Sequence, residues 1–184
     1  MSKTKEIPIP KGKIEEGIGI SLKKSLEHLD GVEALISKNL LNDAVALIEF
    51  AIEEFGRAVY LRERLQLGLE TIECSLQQGN KAHDLKYEKA FSVLPKNLQT
   101  IWQQTYGMTI GMPMVGMGYG GVYGGVYGGV RGRRETISPS TRCDAVFIKF
   151  DEKTQKWHNG IKASSRNLKL IVDKLRENIA TFKF

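Results

Sequence analysis

The sequence predicts a mainly α-helical fold: an antiparallel helical bundle with a small C-terminal β-hairpin and a glycine-rich insert loop. Three observations carry that expectation. Apolar residues recur every three or four positions through two long stretches of the N-terminal half, the period that lines one face of a helix. Between Tyr106 and Arg134 the composition turns abruptly to Gly, Met, Tyr and Val. Beyond it, Ala145, Val146, Phe147, Ile148 and Phe150 form a β-prone run ending at Asp151.

Taken in order, residues 1–13 are basic and contain prolines, and are read as a flexible tail ahead of one domain spanning 14–184. From Ile14 to about Ser37, residues Ile18, Leu22, Leu26, Leu29, Val32 and Ile36 place a first helix. Lys38 and Asn39 interrupt it. From Leu40 to about Leu69, residues Leu41, Ala44, Val45, Ile48, Ala51, Ile52, Phe55 and Val59 make a stronger stripe, and the short link predicts an antiparallel pair. The back of that second helix is mixed, because Phe50 and Leu61 fall beside Asp43, Glu54 and Arg57; a second protein contact, and through it a homodimer, is expected there. Gly79 and Asn80 break the chain before a third helix over Lys81–Ser92, and Pro95 suits the first turn of a fourth containing Leu98, Ile101 and Trp102.

The insert at 106–134 repeats Tyr-Gly-Gly-Val over Tyr119–Val130 and ends in Arg131, Arg133 and Arg134. Glycine makes its ordering entropically costly, so a mobile loop is the simpler reading. The sharper one is an RNA-touching arm, with tyrosine faces for bases and the three arginines for phosphates. After the β-prone run, Gln155–Trp157 is placed as the returning strand of a hairpin. A last helix is capped by Ser164 or Ser165, and its seam of Leu168, Ile171, Val172, Leu175, Ile179 and Phe182 closes the bundle.

Bulk composition narrows the function classes. At 184 residues the chain suits one domain with a core, and 41% hydrophobic with 26% charged residues places it among folded rather than disordered chains. A net charge of +6 favours an acidic partner such as RNA. Cys74 and Cys143 lack zinc-site spacing and are read as reduced thiols, so no metal and no cofactor is expected. No apolar N-terminal run marks a signal peptide, which makes the cytoplasm the expected compartment. The uncharged stretch Thr105–Val130 is too glycine-rich for a membrane helix.

No Walker phosphate loop, no G-x-S-x-G and no H-E-x-x-H is present, which removes support for nucleotide triphosphatase, serine hydrolase and zinc protease chemistry. What remains is a polar constellation: Glu53, Glu54 and Arg57 on the second helix, His83 and Lys86 at the start of the third. Glu54–Arg57 and Glu53–Arg57 stand three and four residues apart and can pair along the helix, which as a surface ion pair signifies little. His83, too, reads by itself as an ordinary residue of a helix N-terminus.

A family resemblance changes that weighting. The segment ALIEFAIEEFGRAVY (Ala46–Tyr60) resembles the central helix of the AbiV abortive-infection family, where an alanine-rich stripe leads into Glu-Glu-x-Gly-Lys. HDLKYEKA (His83–Ala90) resembles that family's His-x-x-Lys segment, and TRCDAVFIKFDEKTQKWHNGIKAS (Thr141–Ser164) its Arg-led strand, acidic turn and Trp-containing second strand. The three segments occur in the family's order.

The resemblance implies membership of the HEPN superfamily, a helical bundle, homodimerisation, a role in defence against phage and, as in many members, metal-independent RNA cleavage. Two departures stand against the last: no arginine lies four to six residues before His28, His83 or His158, and Arg57 replaces the lysine more usual in the motif. Cleavage would need a base for the ribose 2′-hydroxyl, an acid for the leaving oxygen and cations for the phosphorane. His83, Arg57 and Lys86 supply those types, with Glu54 orienting His83 or Arg57. The expected function is therefore an anti-phage effector acting on RNA or translation. The alternatives are a noncatalytic module that binds a phage or host protein, and a helical helper of a nucleotidyltransferase.

Overall fold

A computed structural model describes residues 6–73, 80–107, 148–151, 156–159 and 163–183. The helices are α1 (Lys11–Ser37), α2 (Leu41–Gln66), α3 (Asn80–Val93), α4 (Lys96–Gly107) and α5 (Ser165–Thr181); the strands are β1 (Glu6–Pro8), β2 (Thr71–Glu73), β3 (Ile148–Asp151) and β4 (Lys156–Asn159). The protein is mainly helical, as its apolar periodicity requires. Among the described residues no helix is long and apolar enough to cross a membrane.

Helices α1 and α2 form the expected antiparallel pair, joined through a tight turn whose chemistry is local. Asn39 takes the left-handed conformation (φ 58°). Leu40 N–H then donates to Leu35 O at 2.9 Å and Asn39 N–H to Ile36 O at 3.0 Å, which satisfies the last carbonyls of α1 in a Schellman arrangement. Gly68 (φ 65°) ends α2 in the same way, with Leu69 N–H on Arg64 O and Gly68 N–H on Leu65 O, each 3.0 Å.

The seam of α1 differs from the apolar stripe read in the sequence. It runs through Ile14, Ile18, Ser21, Ser25, Leu29, Val32 and Ile36, while Leu26 is exposed and Leu22 only half-buried. The two serines replace the two leucines because small side chains let α1 settle close to α2. The Ser25 hydroxyl donates to Ala51 O at 2.7 Å, so its burial leaves no polar atom wanting.

Helix α2 is the axis of the fold. Almost every residue from Ala44 to Leu61 is buried, with α1, α3 and α5 packed around it. The core joins Val45, Ile48, Ile52, Phe55 and Val59 to Leu94, Leu98 and Trp102 and to the α5 seam of Leu168, Ile171, Val172, Leu175 and Ile179. Phe182 follows α5, its ring edge-on to Phe55 (5.4 Å between centroids) and beneath the Arg62 guanidinium at 4.0 Å. Ser164 occupies the N-cap of α5 without a side-chain capping hydrogen bond, so only its position, not its bonding, follows the sequence reading.

Two features correct the expected architecture. The bundle is not antiparallel throughout: His83 meets Glu53 and Lys89 meets Glu63, so α3 advances along α2 in the same sense. The link from Leu67 to Gly79, long enough to carry β2 back along the bundle, permits this. Nor do residues 6–13 continue as a tail. Strand β1 pairs antiparallel with β2 (Glu6 opposite Glu73, Ile7 opposite Ile72, Pro8 opposite Thr71), and α1 begins at Lys11. Ile7 and Ile9 pack against a second apolar cluster of Ile14, Ile18, Ala58, Tyr60, Leu61 and Ile72, which offsets the entropy of ordering this segment.

Strands β3 and β4 also pair antiparallel, Phe150 opposite Trp157. Residues 152–155, which join them, and the insert at 106–134, apart from the helical backbone of Tyr106 and Gly107, lie outside the described residues.

The β1–β2 pair is tied to α2 through one arginine. Arg64 Nε donates to Thr71 O at 2.8 Å, and its Nη2 reaches both Glu6 Oε1 (2.8 Å) and the Thr71 hydroxyl, which itself donates to Glu6 Oε2 at 2.8 Å. Hydrogen bonds from Thr71 and then Arg64 hold the Glu6 carboxyl below its usual 4.5. A carboxylate with a depressed folded pKa contributes stability that is complete above 4.5 and is lost as pH falls through the lowered value. Glu6→Gln should therefore unfold more easily than the unmodified protein near neutral pH. Below 4.5 the two urea midpoints should converge; a gap independent of pH would contradict the tie.

Candidate functional site

One stripe of α2 is polar although it faces protein. At 100° per residue, Glu49, Glu53, Gly56 and Tyr60 fall within a narrow arc, and that arc meets α3. On α3, His83, Lys86, Tyr87 and Ala90 recur at helical spacing and present the complementary face. Ionisable side chains thus meet inside a helix-helix contact, where their charge must be balanced locally.

Glu53 is the centre of that balance. It is 3% exposed, and its Oε2 lies 2.6 Å from His83 Nδ1 and 3.9 Å from Lys86 Nζ. Lys86 is itself only 5% exposed, whereas the His83 side chain keeps 30% of its surface open to solvent. A carboxylate accepts, so Nδ1 carries the donated proton and, in the neutral ring, Nε2 is the basic nitrogen. The arrangement orients an imidazole and gives it an anionic backing, which is the preparation proton transfer requires. Glu49, 1% exposed, adds a second buried carboxyl one turn earlier. Among the described residues no group of three His, Cys, Asp or Glu side chains has the spacing to hold a metal ion.

The sequence-selected residues divide between two places. His83 and Lys86 join the buried cluster, but the carboxylate they share is Glu53, not Glu54. Glu54, turned about 100° from Glu53 on the same helix, accepts from Arg57 Nη1 at 2.8 Å in a partly buried ion pair. It belongs to the face shared with His28 and Phe50, whose rings lie 5.8 Å apart. Burial and the nearby Lys24 ammonium push the His28 imidazole down from its usual value, against the opposing pull of Glu54 and Glu27. Lys86, expected to meet RNA phosphate, instead turns its ammonium inward to Glu53.

Phe50 and Leu61, expected to share an outward face, are also separated: Phe50 is 39% exposed, while Leu61 is buried beside Ile14 and Ile18 of α1. The chain itself covers half of that surface. Arg131, Arg133 and Arg134 lie outside the described residues. Glu53 entered the sequence analysis only as a neighbour of Arg57. The signal that picks it out is a carboxylate recurring at i and i+4, Glu49 and Glu53, beside the apolar stripe of Val45, Ile48, Ile52 and Phe55.

No protein-family model, curated protein or solved structure matches the chain. A cleft of about 550 Å³ lies elsewhere, between the end of α1 and the start of α5, lined by Glu33, Ser37, Asn39, Ser165, Lys169 and Asp173.

The division between the two carboxylates is directly measurable. Removing Glu53 takes the carboxylate from beside His83 and the buried Lys86 ammonium, so Glu53→Ala should cost more than about 2 kcal/mol of unfolding free energy. Glu54→Ala removes a partly screened pair and should cost no more than about 1 kcal/mol. Equal losses in chemical denaturation would show that Glu53 does not balance a buried charge.

Proposed function

We propose that this protein is an abortive-infection effector that acts on RNA inside the cell, with His83 as its proton-transfer group and Glu53 as the residue that orients it. One observation carries the reading. The Glu-Glu-x-Gly segment of α2 and the His-x-x-Lys segment of α3, the two stretches that resemble AbiV proteins, meet in a 2.6 Å contact between residues thirty positions apart. That convergence is what a shared site would produce.

In this reading the helices form a HEPN-like bundle, β3 and β4 belong to the C-terminal hairpin, and a second copy of the chain completes a homodimer. His83 Nε2 removes the proton of a ribose 2′-hydroxyl, and the freed 2′ oxygen attacks the adjacent phosphorus. The bond from phosphorus to the 5′ oxygen breaks, the departing oxygen takes the proton from the imidazolium, and a 2′,3′-cyclic phosphate remains. Glu53 stabilises the imidazolium formed in between. Arg57, and the arginines Arg131, Arg133 and Arg134 that follow the glycine repeats, supply positive charge toward the phosphates.

A second reading, a noncatalytic module that captures a phage or host protein, draws on one observation: the cleft of about 550 Å³ between α1 and α5 does not include the His83–Glu53 pair. The two readings separate in one assay. Purified protein incubated with total RNA and transfer RNA in chelator should cleave, and His83→Ala should reduce the rate by about 10²–10⁴ while retaining the helical circular dichroism. If expression halts growth while RNA stays intact, and His83→Ala halts it equally, the interaction module takes the place of the ribonuclease.

A further inference from the structure

Between α2 and α3 the backbones come closer than side chains ordinarily allow. A methyl group placed on Gly56 would lie 1.8 Å from the Lys86 carbonyl oxygen, 2.7 Å from its carbonyl carbon and 3.2 Å from the Ala90 methyl. Neither main-chain atom can move without moving α3, so only glycine fits at this point. A second helical glycine, Gly31, is different: a methyl there would meet Leu47 Cδ2 at 2.6 Å, the end of a flexible side chain that can turn aside.

The location of the Gly56 contact gives it meaning. Gly56 lies three residues after Glu53, and Lys86 three residues after His83, so the point where the helices touch sits one turn beyond the carboxylate-imidazole pair on both of them. We infer that Gly56 is a positioning residue, which by setting the approach of α3 to α2 fixes the 2.6 Å contact between His83 and Glu53. A bulkier residue pushes α3 away and lengthens that contact. This inference rests on the reading of His83 as a proton-transfer group, but the measurement that decides it is not one of activity.

The test is the ¹⁵N spectrum of the His83 imidazole in the intact protein. In Gly56→Ala the Nδ1 and Nε2 shifts should move to those of Glu53→Gln, where the carboxylate charge is gone, while Gly31→Ala should leave them in place. If Gly56→Ala does not fold, Ala90→Val swells the same contact from the α3 side, and the same displacement is expected. A folded Gly56→Ala or Ala90→Val protein with an unchanged His83 spectrum overturns the inference. Where the RNA assay is positive, Gly56→Ala should lower cleavage by about 10²-fold, the usual cost of a misplacement of about 1 Å. A spectrum that moves in a protein without RNA cleavage would uphold the positioning role and count against the ribonuclease alone.

Discussion

A carboxylate taken out of water must find its compensation in the protein, and Glu53 is placed on the most enclosed helix of this fold. With α1, α3 and α5 packed around α2, little solvent reaches a charge on Glu53 itself, which is 3% exposed. Lys86 and His83 supply the compensation, and both come from the first turns of α3. The pairing therefore does more than add stability. It specifies which part of α3 lies against which part of α2, a job that apolar contacts between two helices perform poorly because they tolerate sliding. The Lys89–Glu63 pair further along repeats the same sense of packing.

The remaining architecture supports that contact. The serine-lined seam of α1 and the α5 seam of Leu168, Ile171, Val172, Leu175 and Ile179 hold α2 from its other sides. The connection from α2 to α3 passes through β2, which is paired with β1 and tied to Arg64, so the chain is anchored before it turns toward α3. Order at the N-terminus and order at the buried cluster are thus parts of one scaffold.

Much of this was legible in the sequence. The helices follow from apolar spacing, and Asn39 marks the turn between α1 and α2 where it occurs. What was not legible depends on neighbours that periodicity cannot name. Ser21 and Ser25 replace Leu22 and Leu26 on the α1 seam because the opposing helix is close, a fact about α2 rather than about α1. The same-sense course of α3 depends on a returning strand only three residues long, β2, which carries almost no alternation to detect. In the candidate site the sequence identified His83 and Lys86 but paired them with the wrong carboxylate. Adjacent glutamates look equivalent in one dimension; the 100° between them decides that Glu53 is enclosed and Glu54 partly solvated.

The coupling between Glu53 and His83 is what a double-mutant cycle measures directly. Urea unfolding of the unmodified protein, Glu53→Gln, His83→Ala and the double variant yields the coupling free energy. A hydrogen bond to a charged group predicts a coupling of about 1.5–3 kcal/mol. Losses that add within about 0.5 kcal/mol, the behaviour of independent residues, would contradict the central claim.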